Sequence, residues 1–321
     1  NVWVGEWNPR SCRYGTVALL VRIGVEYGGV DIVMFWNGYP RLGIDGRDQF
    51  AFWRELPGGL DAMRSTVDRC HERGVRCAVP LLPWDGATDE LCALVERLDL
   101  DAVFLDTIGS GASEIRERMD AVRPGVVFIP EVVPDVEEIA HHHLSWMQGT
   151  REEELPGVLR NKLFEQRHMQ FEVRRWTPSH DLELQRAWLN GTGMVIWENV
   201  FGTPVGTDER FRSTLRSVRP IQKRFAELFA TGAWTPLADT LHASLFASRW
   251  RAGELELWTL ASRAEHEISG PLFETGPLPD EVRVYDLIAG VETTVAAEPG
   301  GGAVEVRGSV SGRGIGCYVV A

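Results

Sequence analysis

Two carboxylic acids close apolar runs of the sequence: Asp106 ends the run in VFLDT and Glu131 ends VVFIPE. An acid at the end of a buried strand stands at the rim of a sheet. If the two runs are neighbouring parallel strands, their tips lie about 4.8 Å apart. Side-chain reach then brings the carboxyls to about 5–5.5 Å, where one attacks an anomeric carbon and the other protonates the departing oxygen. The Ile129-Pro130 side of Glu131 is apolar and favours the protonated form. This makes Glu131 the acid/base and Asp106 the nucleophile. Exchanged roles, helix capping and pairing with an arginine are the alternatives.

Other strand ends pair indole with hydrogen-bonding groups. Trp36-Asn37, with Asp45 in the loop beyond, Trp84-Asp85 and Trp197-Glu198-Asn199 each follow an apolar run. Indole offers a flat face to the C–H side of a pyranose, and Asn, Asp or Glu forks onto adjacent hydroxyls. Arg174 and Trp176 follow another run; an arginine there either binds a substrate carboxylate or keeps Asp106 ionised. The chain has 12 Trp against 5 Tyr. Core filling is the competing role for each.

Several chemistries lack their residues. His141-His142-His143 on one helix point about 100° apart and do not converge on one ion. Glu152-Glu153-Glu154 reads as a solvated charge run, and Gly300–Gly302 as a hairpin turn. No GxSxG, HExxH, P-loop or CxxC occurs, which removes serine-hydrolase, zincin and NTPase mechanisms. The expected reaction needs no cofactor. Two other readings are a carbohydrate-binding barrel without activity, and a metal-dependent lyase or isomerase with Asp85, Asp106, Glu131 and Glu198 as oxygen ligands. A net charge of −13 repels phosphate backbones, so nucleic acid is not an expected partner. No apolar run reaches the roughly 18 residues of a membrane helix. Carbohydrate is the expected partner; oligomeric state is left open. Cys12, Cys70, Cys77, Cys92 and Cys317 lack metal spacing and read as buried reduced thiols. With no leader visible, they favour the cytoplasm over secretion with a removed leader.

These residues need elements to position them. Eight short apolar runs, Val2–Trp7, Asp31–Trp36, Arg76–Leu82, Ala102–Asp106, Val126–Glu131, Leu144–Gln148, Met169–Arg174 and Met194–Glu198, alternate with helical patterns. Gly58–Arg73 has Leu60, Met63, Val67 and Cys70 at helical spacing, with Gly74 at the stop. Pro220 interrupts the pattern over Asp208–Thr231 and should kink or restart it. Alternating strand and helix predicts a parallel sheet, and eight units predict an α/β protein closed as a (β/α)8 TIM barrel over residues 1–235. After Thr235, short partly alternating runs separated by Gly and Pro turns predict a C-terminal antiparallel β-sandwich over 236–321.

The pairing of an Asp at the end of the fourth run with a Glu at the end of the fifth resembles retaining glycoside hydrolases related to the α-amylases and the endo-α-N-acetylgalactosaminidases. VDIVMFWNGYP, LDAMRSTVDRCHERGVRCAVPLLPWD and DAVFLDTIG, and GTGMVIWENVFG before a long helix and a sandwich, resemble bacterial α-galactosidase-like barrel proteins. The resemblance implies a barrel glycosidase with Asp106 as nucleophile and Glu131 as proton donor. The Asp-His pair and the Asp-rich calcium loop of the α-amylases are not found in this sequence.

Overall fold

The computed structural model describes residues 7–36, 46–85, 87–109, 112–148, 156–174, 179–196, 207–279, 282–297 and 302–321. The described residues fall into two compact units. One extends through Met147; the other takes up the chain from Gln148 through Ile196 and again from 207 onward.

The first unit opens with β1 (Trp7–Asn8) paired antiparallel to β2 (Arg13–Tyr14), followed by α1 (Thr16–Tyr27). Then β3 (Ile32–Met34), β4 (Arg76–Leu81), β5 (Ala102–Leu105) and β6 (Val127–Pro130) form a parallel sheet in chain order. Parallel neighbours need crossovers. These contain α2 (Gln49–Glu55) and α3 (Gly59–His71) before β4, α4 (Thr88–Leu98) before β5 and α5 (Ala112–Val122) before β6. α3 buries Met63, Thr66, Val67 and Cys70, the stripe expected from its spacing, and Gly74 turns the chain at φ 68°, a conformation that spares only glycine the Cβ clash. Met63, Val67 and Cys70 pack with Cys77, Val79, Val103, Leu105 and Phe128 in one core. β7 (Leu144–Met147) lies beside β6.

In the second unit, α6 (Arg160–Phe164) leads to β8 (Met169–Glu172) and α7 (Asp181–Leu189). The Glu172 N–H donates to the Gly193 carbonyl at 3.1 Å and the Val195 N–H to the Glu172 carbonyl at 3.0 Å, a parallel bridge between Glu172 and Met194. The seventh and eighth apolar runs are therefore parallel neighbours. α8 (Glu209–Arg224) is capped by Asp208, whose Oδ1 accepts the Phe211 N–H at 2.8 Å. It runs through Pro220, and the break falls later, at Phe225, before α9 (Ala226–Thr231). Burial of Phe211, Val218 and Ile221 on one face offsets the single hydrogen bond that proline removes.

Nine further strands complete this unit: β9 (Ala233–Ala238), β10 (Leu245–Ala252), β11 (Leu255–Ser262), β12 (Ile268–Thr275), β13 (Val284–Asp286), β14 (Val291–Glu292), β15 (Val295–Ala297), β16 (Val304–Val310) and β17 (Ile315–Val320). One sheet has the order β14-β13-β17-β11-β10-β9 and the other β12-β16-β15; among the described residues the neighbouring strands in both run antiparallel. Trp258 and Phe273 stack between the sheets at 4.2 Å in a core with Leu260, Leu272, Val306 and Tyr318. β12 begins at Ile268 and passes through Pro271. The register shifts between Pro271 and Phe273, and such an irregularity is where a strand tolerates proline.

Candidate functional site

Strand register decides which side chains share a face. Val79↔Val103↔Phe128 and Leu81↔Leu105↔Pro130 are successive rows. Val79, Val103, Phe128, Leu81 and Leu105 belong to the core with the helices. The intervening row, Pro80↔Phe104↔Ile129, faces the other way, because successive side chains alternate. Trp36 belongs to this row, two residues past the Met34↔Ala78 pair. The rings of Trp36 and Phe104 are 5.5 Å apart, and those of Phe104 and Trp146 4.4 Å. Trp36 follows β3 and Trp146 lies on β7, so aromatic rings from both sides meet over Phe104. A flat sheet holds strands two apart at roughly 9.6 Å; the shorter ring separations place these aromatics on a concave face.

Asp106 and Glu131 stand one row beyond Leu105↔Pro130. The ladder continues into them: the Asp106 N–H donates to the Leu81 carbonyl at 3.1 Å and the Glu131 N–H to the Leu105 carbonyl at 3.0 Å. By alternation both belong to the face of Phe104 and Ile129, roughly 7 Å further along the strands. Asp106 is 1% exposed and Glu131 is half-buried. A Glu131 carboxylate oxygen accepts the Thr107 N–H at 3.0 Å. Thr107 has φ 55°, so the chain leaves β5 in a left-handed turn that aims this N–H at the neighbouring tip. One hydrogen bond thus ties the Glu131 carboxylate to the residue next to Asp106.

Trp84 lies on the short turn Pro83–Asp85 after β4 with 52% of its surface exposed. Asp85 accepts the Gln49 N–H at 2.9 Å through Oδ2, at the first residue of α2. Trp36 is half-buried beside Phe104. Arg174, in the second unit, follows β8 and is half-buried. Asn37, Asp45, Trp176, Trp197, Glu198 and Asn199 lie outside the described residues, as does Glu152-Glu153-Glu154.

Sequence reading did not single out Gln49, Thr107 or the ion pair of Glu172 with Arg186. The Arg186 guanidinium donates to both Glu172 oxygens, at 2.9 and 2.8 Å, and Glu172 has no exposed surface. Glu172 lies inside the Met169–Arg174 run and becomes the last residue of β8, and its carboxylate is committed to α7. Lys162 is equally enclosed; its ammonium donates to the carbonyls of Gln166 and Phe229, and burial lowers it from 10.5 to about 8. Among the described residues no group of three or more His, Cys, Asp or Glu is arranged to hold a metal, and no helix is long and apolar enough to cross a membrane. Cys70, Cys77, Cys92 and Cys317 are buried free thiols; Cys12, expected to be buried with them, is exposed, because it sits in the turn between β1 and β2.

No protein-family model and no curated protein sequence matches the chain. Solved structures do. An α-amylase from Geobacillus thermoleovorans, complexed with acarbose, is 12% identical and superimposes with a TM-score of 0.62 over 100% of this chain and 96% of its own. A noncanonic maltogenic α-amylase from Thermotoga neapolitana is 12% identical, with a TM-score of 0.59 and coverage of 95% and 94%. The debranching enzyme of Nostoc punctiforme is 12% identical, with a TM-score of 0.57 and coverage of 94% and 88%. Identity this low carries the architecture and not the chemistry: the chain has the fold shared by these amylase and debranching-enzyme structures.

Proposed function

We propose that this chain is a retaining glycoside hydrolase that cleaves an O-glycosidic bond by double displacement. Asp106 attacks the anomeric carbon while Glu131 protonates the departing oxygen. The C–O bond to the leaving group breaks as the ester to Asp106 forms. Glu131, now a carboxylate, takes a proton from water, which opens the ester and frees the sugar with its configuration retained. The observation that carries this reading is the shared row of the two acids, at the carboxyl ends of adjacent parallel strands above an aromatic face. On this reading the strands close as a (β/α)8 barrel over 1–235 and the sandwich occupies 236–321, in keeping with the structural likeness. Carboxyl ends of barrel strands are where such chemistry sits. Trp36 and Trp84 stack on sugar rings, and Asp85 stands beside Trp84; Arg174, Asn37, Asp45, Trp176, Trp197, Glu198 and Asn199 are the further residues proposed to bind substrate.

A panel of aryl glycosides and oligosaccharides tests this, beginning with α-glucans because one structural neighbour is complexed with acarbose. Wild-type chain releases the aglycone with retained anomeric configuration, read by proton NMR. Asp106→Asn loses at least about 10³-fold in turnover, as expected when a covalent nucleophile is removed. Glu131→Ala loses less on substrates with good leaving groups and is rescued by azide as a retained glycosyl azide. An inverted product, or an Asp106→Asn variant with wild-type turnover, defeats the assignment. Failure of the whole panel favours sugar binding without hydrolysis.

A further inference from the structure

The geometry points to Gln49 as the positioning residue that fixes Trp84 as a preformed stacking platform for a sugar ring, an inference that rests on the proposed carbohydrate site.

Regular pairing between β3 and β4 ends at Phe35, whose N–H donates to the Ala78 carbonyl at 2.8 Å. The next two groups on that edge of β4 are the Pro80 carbonyl and the Leu82 N–H. Both are taken by one side chain: Gln49 Nε2 donates to the Pro80 carbonyl at 2.7 Å, and Gln49 Oε1 accepts the Leu82 N–H at 2.8 Å. The backbone N–H of the same residue reaches Asp85 at 2.9 Å. The turn between these anchors is closed by the Asp85 N–H on the Leu82 carbonyl at 3.0 Å. Only Pro83, with its fixed φ, and Trp84 lie between positions 82 and 85.

Gln49 is fully buried and Trp84 is half exposed. A buried amide is retained only when its hydrogen bonds are made, and those to Pro80, Leu82 and Asp85 brace the strand end and the turn that carries the indole. The backbone of Trp84 is therefore held from both sides, which confines the remaining motion of the indole to its two side-chain torsions. Ordering an aromatic surface in advance lowers the entropic cost of binding. Leu82 stands in the same row as Asp106, one step past Leu81↔Leu105, so the platform adjoins the strand tip assigned to the nucleophile. The chemistry that fits is a neutral pyranose presenting its C–H face.

The test uses the full chain with ¹⁵N-labelled tryptophan. Its 12 Trp give resolved indole signals, and Trp84→Phe identifies the one from Trp84. Maltoheptaose, xylohexaose and galactobiose are titrated in turn. At least one is expected to shift the Trp84 signal; no shift with any of them overturns the platform. In Gln49→Met the signal broadens and affinity for that sugar falls about tenfold, the loss of one aromatic contact. The double variant Gln49→Met/Trp84→Ala binds no more weakly than Trp84→Ala, because Gln49 acts through the indole. In Gln49→Glu a protonated carboxyl reproduces the donor and acceptor in acid, so affinity relative to wild type recovers as pH falls. A Gln49→Met chain that melts earlier yet keeps the Trp84 signal and sugar affinity would show a merely structural role and overturn the inference. Glycoside turnover with an unmoved Trp84 signal overturns the platform and spares the hydrolase; a shifted signal without turnover does the reverse.

Discussion

A lysine without exposed surface titrates against the usual sense. Lys162 releases its proton near 8 in the folded chain, through burial, and near 10.5 when unfolded. Between these values the unfolded chain binds more protons, so stability rises with pH, by up to roughly 3 kcal/mol across the window. Urea midpoints of wild type and Lys162→Met, compared from neutral pH to about 10, should diverge in favour of wild type as pH rises. A constant difference rejects the assignment. The Glu172–Arg186 pair behaves differently, because each ion compensates the other. Arg186→Met removes the counter-ion of a buried carboxylate and should cost about 3–5 kcal/mol in chemical denaturation. A loss below about 1 kcal/mol would mean that water reaches Glu172.

At the scale of elements, the start of α3 depends on Gly58. Its φ is +77°, and an added Cβ would stand 2.6 Å from the Ala62 Cβ and 2.7 Å from the Trp7 indole. Gly58→Ala therefore meets both left-handed strain and a clash, and should lower stability by about 2 kcal/mol or more. The opposite case is α2, where Asp48 accepts the Ala51 N–H at 2.6 Å. Asp48→Ala should cost about 1 kcal/mol, the ordinary loss of an N-cap. Thermal denaturation of the two variants should rank them in that order.

For the whole molecule, charge is the governing quantity. A chain of 321 residues with net charge −13 repels itself. Raising ionic strength from about 0.01 to 0.15 M shortens the Debye length from about 30 to about 8 Å and should raise Tm, even though exposed pairs such as Arg64–Asp68 lose strength. A Tm that falls with salt would mean that the surface pairs outweigh the net charge.

The sequence by itself determined the local elements and where acids end the apolar runs. Periodicity, glycine stops and Asp caps act over a few residues, so α3, α8 and the order β3 to β6 were legible, and Asp106 and Glu131 with them. It also gave the change of texture near Thr235. Tertiary structure decided what those acids and their neighbours touch. Glu172 lies inside its run and Asp106 ends one, and only the structure shows that Glu172 is neutralised by Arg186, 14 residues away. Gln49 finds its partners 31 and 33 residues on, and nothing in its flanking residues announces them. Pairing between distant segments is fixed by packing and register, which a one-dimensional pattern does not contain.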